Sequence, residues 1–438
     1  MTLISLAMIV KNEETTLAHC LESVKPLVDE MIVVDTGSTD KTVDIARGFG
    51  AQVHYFKWRD DFAAARNDSL RHCKGDWVFI LDADEAIDPL DYEKIKSACI
   101  NPQADAYSLI HRHYLTSHSM ATIGNSATPN KSKYNEGKNM PFYCDTRATR
   151  LAMMINGLSY SSRIHETFET SVRSQGKAIK ELDAVIHHYG KLFSDREASK
   201  IQYYFLLAQR EAENKPNDNW AQHNLMLQAM AAKQWELAFR AVQAIMKSDF
   251  AVEPLILYGG GWALQELGRH EEAIKYFDAL LCKEPKHVIA MLHKGLSYKT
   301  MGNVNAARQL MTEAIELDPA CLQAYGCLAE LDFSVNDYDA ARQTVLDAIN
   351  IAASEPILYN LLLKIEMARN NHRQAGCDAM LGLQNCPGKG NNLWYRLAAV
   401  YLWETGERET ARSILESGLN AFHEDPGLIR LNKMFSRA

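Results

Sequence analysis

No two of the nine cysteines form a C-x-x-C pair, and their number is odd. In a chain of 438 residues this argues against a disulfide framework and points to a reducing, cytoplasmic setting. No run of about 18 uninterrupted apolar residues occurs, so no membrane span is expected. Positive charge is not in excess. The net charge of −8 excludes a chain built as a whole to bind nucleic acid. Glycine-rich phosphate loops are missing as well. Neither G-x-x-x-x-G-K-[ST] nor G-x-G-x-x-G follows the first apolar run, which disfavours P-loop NTPases, dinucleotide oxidoreductases and nucleotidyltransferases. The opening MTLISLAMIV has no basic residue ahead of it and runs into Lys11-Asn12-Glu13-Glu14. It reads as a buried strand, not a secretory signal.

What is present falls into two halves. Over roughly the first 115 residues, short apolar runs alternate with helical patterns. Strands are expected at Ile4–Val10, Met31–Val34, Ala51–Phe56 and Trp77–Leu81. Helices are expected over Glu13–Leu27, from Ser38 or Thr39 to Phe49, and over Phe62–Cys73. This alternation implies crossover units and a mostly parallel, Rossmann-like α/β sheet. In such sheets ligands bind outside the carboxyl ends of the strands. Asp35 ends the second strand and Asp82 and Asp84 follow the fourth, so these acids should share one rim. Thr116–Met140 is polar and rich in Ser, Asn and Gly. It reads as a long loop, either a lid or a surface insertion.

The second half is helical and repetitive. Pro285 and Pro319 stand 34 residues apart, and Pro387 lies two further periods on, with Ala353 in the slot between. Ala273, Ala307, Ala341 and Ala375 recur at the same period, as do Gly261, Gly295 and Ala329. Bulky Phe277, Met311 and Val345 fill matching slots. Small residues at helix contacts, with Pro closing the second helix, are the signature of tetratricopeptide repeats. A degenerate repeat around Trp235 and Ala238 precedes them, and another, out of phase, contains Ala399 and Ala411. The expected division is an α/β domain over 1–190, a linking helix over 191–215 and an all-α solenoid over 216–438.

Asp82-Ala83-Asp84-Glu85 can be a solvated turn. It can also be a clamp, because hard divalent cations bind one or two carboxylates together with substrate phosphates. A metal-bridged nucleotide fits a rim that has no glycine loop.

The segments SLAMIVKNEETTLAHCLESV, MIVVDTGSTDKTVDIA, FAAARNDSL and GDWVFILDADE, in this order and spacing, resemble family 2 glycosyltransferases of the GT-A fold. The likeness covers roughly residues 3–90. It implies a nucleotide pocket lined by Val10, Asn12 and Glu13, with Asp35 on the base or ribose. It also implies donor contacts from Arg66, Asn67 and Ala83, and a Mn2+ or Mg2+ ion on Asp82 and Asp84. From the residues alone, Asp35 could merely brace the turn before Gly37, and Arg66 could pair with Asp60 or Asp61. The Q-x-x-R-W motif and membrane helices of processive members are absent, which implies transfer of one sugar or a few.

DTRATRLAMMINGLSYSSRIHETFE followed by LDAVIHHYG resembles a bacterial subgroup that joins this domain to tetratricopeptide repeats, including the sublancin-type peptide S-glycosyltransferases. H-H-Y-G departs from the subgroup's H-x-G-Y and leaves His187 and His188 as alternatives. The likeness implies a hexosyltransferase using a UDP-sugar. An inverting transfer needs cations against the leaving diphosphate, for which Arg147 and Arg150 are candidates, and a base for the acceptor. Glu166 is the first candidate base and Asp145 the rival. His165 could orient Glu166 or bind the metal, or His165-Glu166 could be a structural pair. The repeats suit a peptide or protein acceptor, with Cys or Ser/Thr as the modified side chain. They could instead drive homo-oligomerisation. The alternatives are transfer to lipopolysaccharide core or another surface glycan, and a repeat scaffold with a degenerate catalytic domain.

Overall fold

The computed structural model describes residues 2–116, 127–190, 197–248 and 252–436. It divides into two compact units, 1–283 and 284–438.

The first unit begins with three alternations of strand and helix: β1 Ile4–Val10, α1 Leu17–Val24, β2 Glu30–Asp35, α2 Thr42–Gly48, β3 Gln52–Tyr55 and α3 Phe62–His72. Next come β4 Trp77–Ile80, the short β5 Glu85–Ile87, α4 Tyr92–Ile100, β6 Ala106–Leu115, β7 Thr128–Pro129, β8 Phe142–Met153, α5 Glu169–Arg173 and β9 Ile179–His188. The main sheet has the order β3-β2-β1-β4-β8-β6-β9-β5, with β7 beside β8. Its first four strands are parallel, as the alternation requires. Beyond β4 the sheet is mixed. β8 runs antiparallel to β4 and to β6, β9 is parallel to β6, and β5 is antiparallel to β9.

The inner parallel strands β1, β2 and β4 are buried on both faces, hence their continuous apolar runs, while β3 at the edge is part-exposed. Leu6, Met8 and Val10 of β1 join Leu17, Leu21 and Val24 of α1 in one core. Ala7, between them, joins Val78, Ile80, Leu70 of α3 and Phe168 in the other. Successive side chains of a strand point to opposite faces, which divides β1 between the two cores. Asp61 accepts from Ala64 N at 2.8 Å and so fixes the start of α3.

Of the expected loop Thr116–Met140, residues 117–126 lie outside the described residues. The remainder is folded onto the domain. Tyr134 is buried, and Asp88 accepts from the backbone N–H groups of Asn135 and Glu136.

Helix α6 Glu197–Asn214 packs against α7 Asn219–Ala231 within this unit. The unit closes with α8 Trp235–Met246, α9 Pro254–Glu266 and α10 His270–Lys283. Gly261 allows close approach of α9 and α10, since a Cβ there would stand 2.6 Å from Phe277.

The second unit is built of helix pairs: α11 Val288–Thr300 with α12 Val304–Leu317, α13 Leu322–Ser334 with α14 Tyr338–Ile351, α15 Pro356–Ala368 with α16 His372–Asn385, and α17 Asn392–Glu404 with α18 Arg408–Ala421, followed by α19 Pro426–Phe435. Ala307, Ala341, Ala375, Ala399 and Ala411 are fully buried. Each of these helix contacts therefore uses a residue with no side chain beyond Cβ. Gly295 repeats the role of Gly261, with its missing Cβ replaced by the end of Met311. Among the described residues, no helix is long and apolar enough to cross a membrane.

Candidate active site

The rim at the ends of β1, β2 and β4 is held by side-chain bonds to backbone. Asn12, at a φ of 55°, accepts from Thr39 N at 2.8 Å, and its own N–H donates to Ser38 Oγ at 3.0 Å. Glu13 N donates to Thr42 Oγ1 at 2.7 Å. Asp35 is buried and accepts from Gly37 N and Ser38 N at 3.1–3.2 Å. The structure thus gives Asp35 the turn-bracing contact, and Val10 is buried just before this rim.

Beside the rim lies a network of acids and arginines. Arg66 is buried on α3, and its Nη2 engages Asp82 while Nε donates to Glu166 Oε1 at 3.0 Å. It pairs with neither Asp60 nor Asp61. Asp60 instead accepts from Tyr203 of α6, and Asp61 caps α3. Arg150 Nη2 donates to Asp82 Oδ2 at 3.1 Å and to Glu85 Oε1 at 2.9 Å. Glu85 is fully buried and also accepts from Asp82 N at 2.8 Å. Burial works against ionising Asp82. The guanidiniums of Arg66 and Arg150 outweigh it and hold this carboxyl well below the usual range. Burial also works against charging the two arginines, but Asp82 and Glu166 push the Arg66 pKa up, and Glu85 and Asp82 that of Arg150.

The D-x-D acids do not converge on one point. Both Asp82 oxygens face arginines, whereas Asp84 Oδ2 faces His188 Nε2 at 3.5 Å. Ala83, between them in the turn that follows β4, is buried. Strand alternation separates other pairs of candidates. Arg150 reaches the acids, but Arg147 turns away to Glu181 at 3.0 Å and to the backbone oxygens of Ser108 and Leu182. His188 faces Asp84. His187 is buried on the other side against Tyr114, and burial lowers its pKa to about 4.

The rival acids separate as well. Glu166 belongs to the network. Asp145 lies opposite Arg112 in the sheet and holds it with paired bonds of 2.8 and 2.7 Å. His165 does not reach the acids, because its ring lies in the layer facing α7. Its Nε2 is 2.7 Å from Gln228 Nε2, and burial lowers its pKa. Its neighbours are fixed from the same side. Asn224 donates to Ile164 O at 3.1 Å, and Arg163 N donates to Glu211 at 3.1 Å. Asn67 makes a two-bond clamp on the backbone of Tyr160, at 3.0 and 2.7 Å. It therefore positions the loop that carries Glu166.

Sequence reasoning gave no role to Glu85, His111, His113 or Tyr204. Tyr204 of α6 is partly buried, and its hydroxyl pKa is pushed up to about 12, first by burial and then by Glu166, Asp82 and Asp84. His111 and His113 stand in the polar run His111-Arg112-His113 inside an otherwise largely apolar strand, but their neighbours depend on strand order.

The glycosyl transferase family 2 model matches residues 5–152. Those residues form a family 2 glycosyltransferase domain. Tetratricopeptide repeat models match 258–300 and 298–365. A TPR repeat-containing protein of Synechococcus elongatus is 44% identical over 25% of this chain. An uncharacterized glycosyltransferase of Rickettsia bellii is 29% identical over 42% of it. The SPbeta prophage-derived glycosyltransferase SunS of Bacillus subtilis is 41% identical over 18%. The chain spans 27%, 64% and 20% of the lengths of these three relatives. Val10, Asn12, Asp35, Arg66, Asp82, Asp84 and Arg150 all lie inside the glycosyltransferase domain match. Glu166 lies just beyond it and joins through Arg66.

Proposed function

We propose that the protein is an inverting glycosyltransferase that moves one hexose from a UDP-sugar to a Cys, Ser or Thr side chain of a peptide or protein. The observation that carries this reading is the cluster of Arg66, Arg150, Asp82 and Glu166 at the strand ends of a family 2 domain. It sets two guanidiniums and carboxylates together at the rim where ligands of such sheets bind, which supports a role for Glu166 as the base.

In this reading Arg66 and Arg150, fixed by Asp82, meet the charge that develops on the departing diphosphate. They cost no reorganisation during the reaction, because the fold already holds them. Asp84 would hold a divalent cation, Mn2+ or Mg2+. When bound, that cation supplies Lewis-acid stabilisation of the leaving diphosphate. The residues suit it, since Asp82, Glu85 and Glu166 engage the two guanidiniums whereas Asp84 pairs with neither of them. Glu166 takes the proton of the acceptor as its oxygen or sulfur bonds to the anomeric carbon. The carbon–oxygen bond to the diphosphate breaks, and UDP leaves with that electron pair. A thiol acceptor depends less on Glu166, because at an unperturbed pKa of about 8.5 a few per cent is already thiolate at neutral pH.

The helix pairs are the part suited to a polypeptide acceptor, since stacked pairs form extended binding surfaces. A reducing, cytoplasmic setting fits nine cysteines that are all unbridged. The test is UDP release from a panel of UDP-sugars, with random peptides carrying Cys, Ser or Thr as acceptors and mass spectrometry of the products. A hexose added to a peptide supports the reading. Transfer confined to glycan acceptors overturns the acceptor assignment, and no sugar transfer to either overturns the activity.

A further inference from the structure

Three imidazoles meet at the acid end of the sheet. His111 and His113 sit two apart on β6 and so share a face. His188 of β9 lies directly beside His113 in the parallel register. Glu85 of β5 lies opposite His188, and Thr146 of β8 opposite His111. The three ring centroids are 4.4–4.9 Å apart. One ring nitrogen from each lies within 4.8 Å of the others.

Polar groups hold the outer edges of the rings. Thr146 Oγ1 lies 3.0 Å from His113 Nε2 and donates to the backbone oxygen of His111 at 3.3 Å. Asp84 Oδ2 lies 3.5 Å from His188 Nε2. The Nδ1 atoms of His113 and His188 face each other at 2.8 Å. His111 is nine-tenths buried. Its Nε2 lies 2.7 Å from Glu85 Oε1, yet it makes no hydrogen bond. A buried imidazole nitrogen without a hydrogen bond, beside two further imidazoles, is suited to ligate a cation. Ring nitrogens held from behind by carboxylates or hydroxyls are the usual outer shell of histidine metal sites, where that contact fixes the tautomer.

We propose that His111, His113 and His188 form a binding site for a borderline transition cation such as Zn2+ or Co2+. Three imidazoles favour such an ion over Mg2+, which prefers oxygen. Asp84, Glu85 and Thr146 act from behind the rings. The ion ties β6, β9 and the segment 84–85 together, and so sets the position of Asp84 at the donor rim. The site does not depend on the transfer reading, and it is assayed without donor or acceptor.

The experiment is Co2+ titration of the metal-stripped full chain, without nucleotide and with excess Mg2+, followed by absorption spectroscopy and competition with Zn2+. Wild type is expected to bind one equivalent, with the visible bands of nitrogen-ligated Co2+. His113→Gln should weaken binding at least ~100-fold. Asp84→Asn, altering only the outer shell, should weaken it about 10-fold. Metal-free melting of each variant separates loss of the site from loss of the fold. The proposal is overturned if wild type binds no Co2+ in the presence of Mg2+. It is also overturned if His113→Gln and His111→Gln bind as wild type does, or if the bands show oxygen ligation abolished by Asp84→Asn.

Discussion

Arg66 Nε donates to Glu166 Oε1 at 3.0 Å, joining residues 100 positions apart, while its other arm engages Asp82. One guanidinium thus ties the strand-end acid to the candidate base. Removing it leaves two carboxylates facing each other in a part-buried site. Breaking such a pair on one side costs about 3–5 kcal/mol. Arg66→Met should therefore lower unfolding stability by roughly that amount in urea titration. A loss below about 1 kcal/mol would mean that the pairing is only that of an exposed ion pair.

The two acids of the D-x-D should differ in stability. Asp82→Asn strips both Arg66 and Arg150 of their common partner, whereas Asp84→Asn frees only His188. Asp82→Asn should therefore destabilise more, by at least ~2 kcal/mol over Asp84→Asn. The pH dependence follows from the depressed Asp82 pKa. Its contribution is complete above the unfolded value of about 3.9 and is lost as pH falls toward the lower folded value. Wild type should therefore lose stability below about pH 4 more steeply than Asp82→Asn. Equal acid profiles for the two would contradict the pairing.

Glu166 and Asp145 should separate in catalysis. A general base contributes typically 10²–10⁴-fold, so Glu166→Gln should slow transfer to a hydroxyl by about that factor. A thiol acceptor should lose less. Asp145→Asn loses only its bonds to Arg112, and its transfer rate should stay within about threefold of wild type at matched folded fraction. The rates of both variants with both acceptors decide it, and the reverse ranking would return the base to Asp145.

His223 makes helix α7 sensitive to acid. Its ring stacks on Trp220 at 5.1 Å, and its pKa falls to about 4, through burial first and then the nearby His165. With an ordinary value near 6.5 unfolded, the unfolded chain binds a proton between pH 6.5 and 4 that the fold refuses. Stability is complete above 6.5 and declines as pH falls, by at most ~3 kcal/mol for the whole shift. Melting temperatures at pH 7 and pH 5 should converge in His223→Gln relative to wild type. An unchanged difference would show that His223 is not the sensor.

The first four strands and the repeats are legible because each writes its own period. Buried parallel strands give unbroken apolar runs, and the 34-residue spacing puts Gly261 against Phe277 and Gly295 against Met311. The separation of Arg147 from Arg150, and of His187 from His188, follows from strand alternation once those segments are known to be strands. Strand order could not be read in this way. β6 lies between β8 and β9, so Thr146, His111, His113 and His188 become neighbours through crossovers that local pattern does not record. His165 is the case where proximity in sequence misled. A φ of 47° at that residue turns its ring toward Gln228, while Glu166 beside it faces Arg66. Asn67 is the converse, a candidate donor residue whose amide is taken up by the Tyr160 backbone.

The central claim is a donor site whose diphosphate is held at Asp84 through a divalent cation. Calorimetric titration of UDP into wild type and Asp84→Asn, with Mn2+ and with EDTA, tests it most directly. The account predicts saturable binding to wild type with Mn2+ that is lost in EDTA and weakened at least tenfold, about 1.4 kcal/mol, in Asp84→Asn. Binding that ignores both EDTA and the substitution, or no binding of UDP at all, would contradict it.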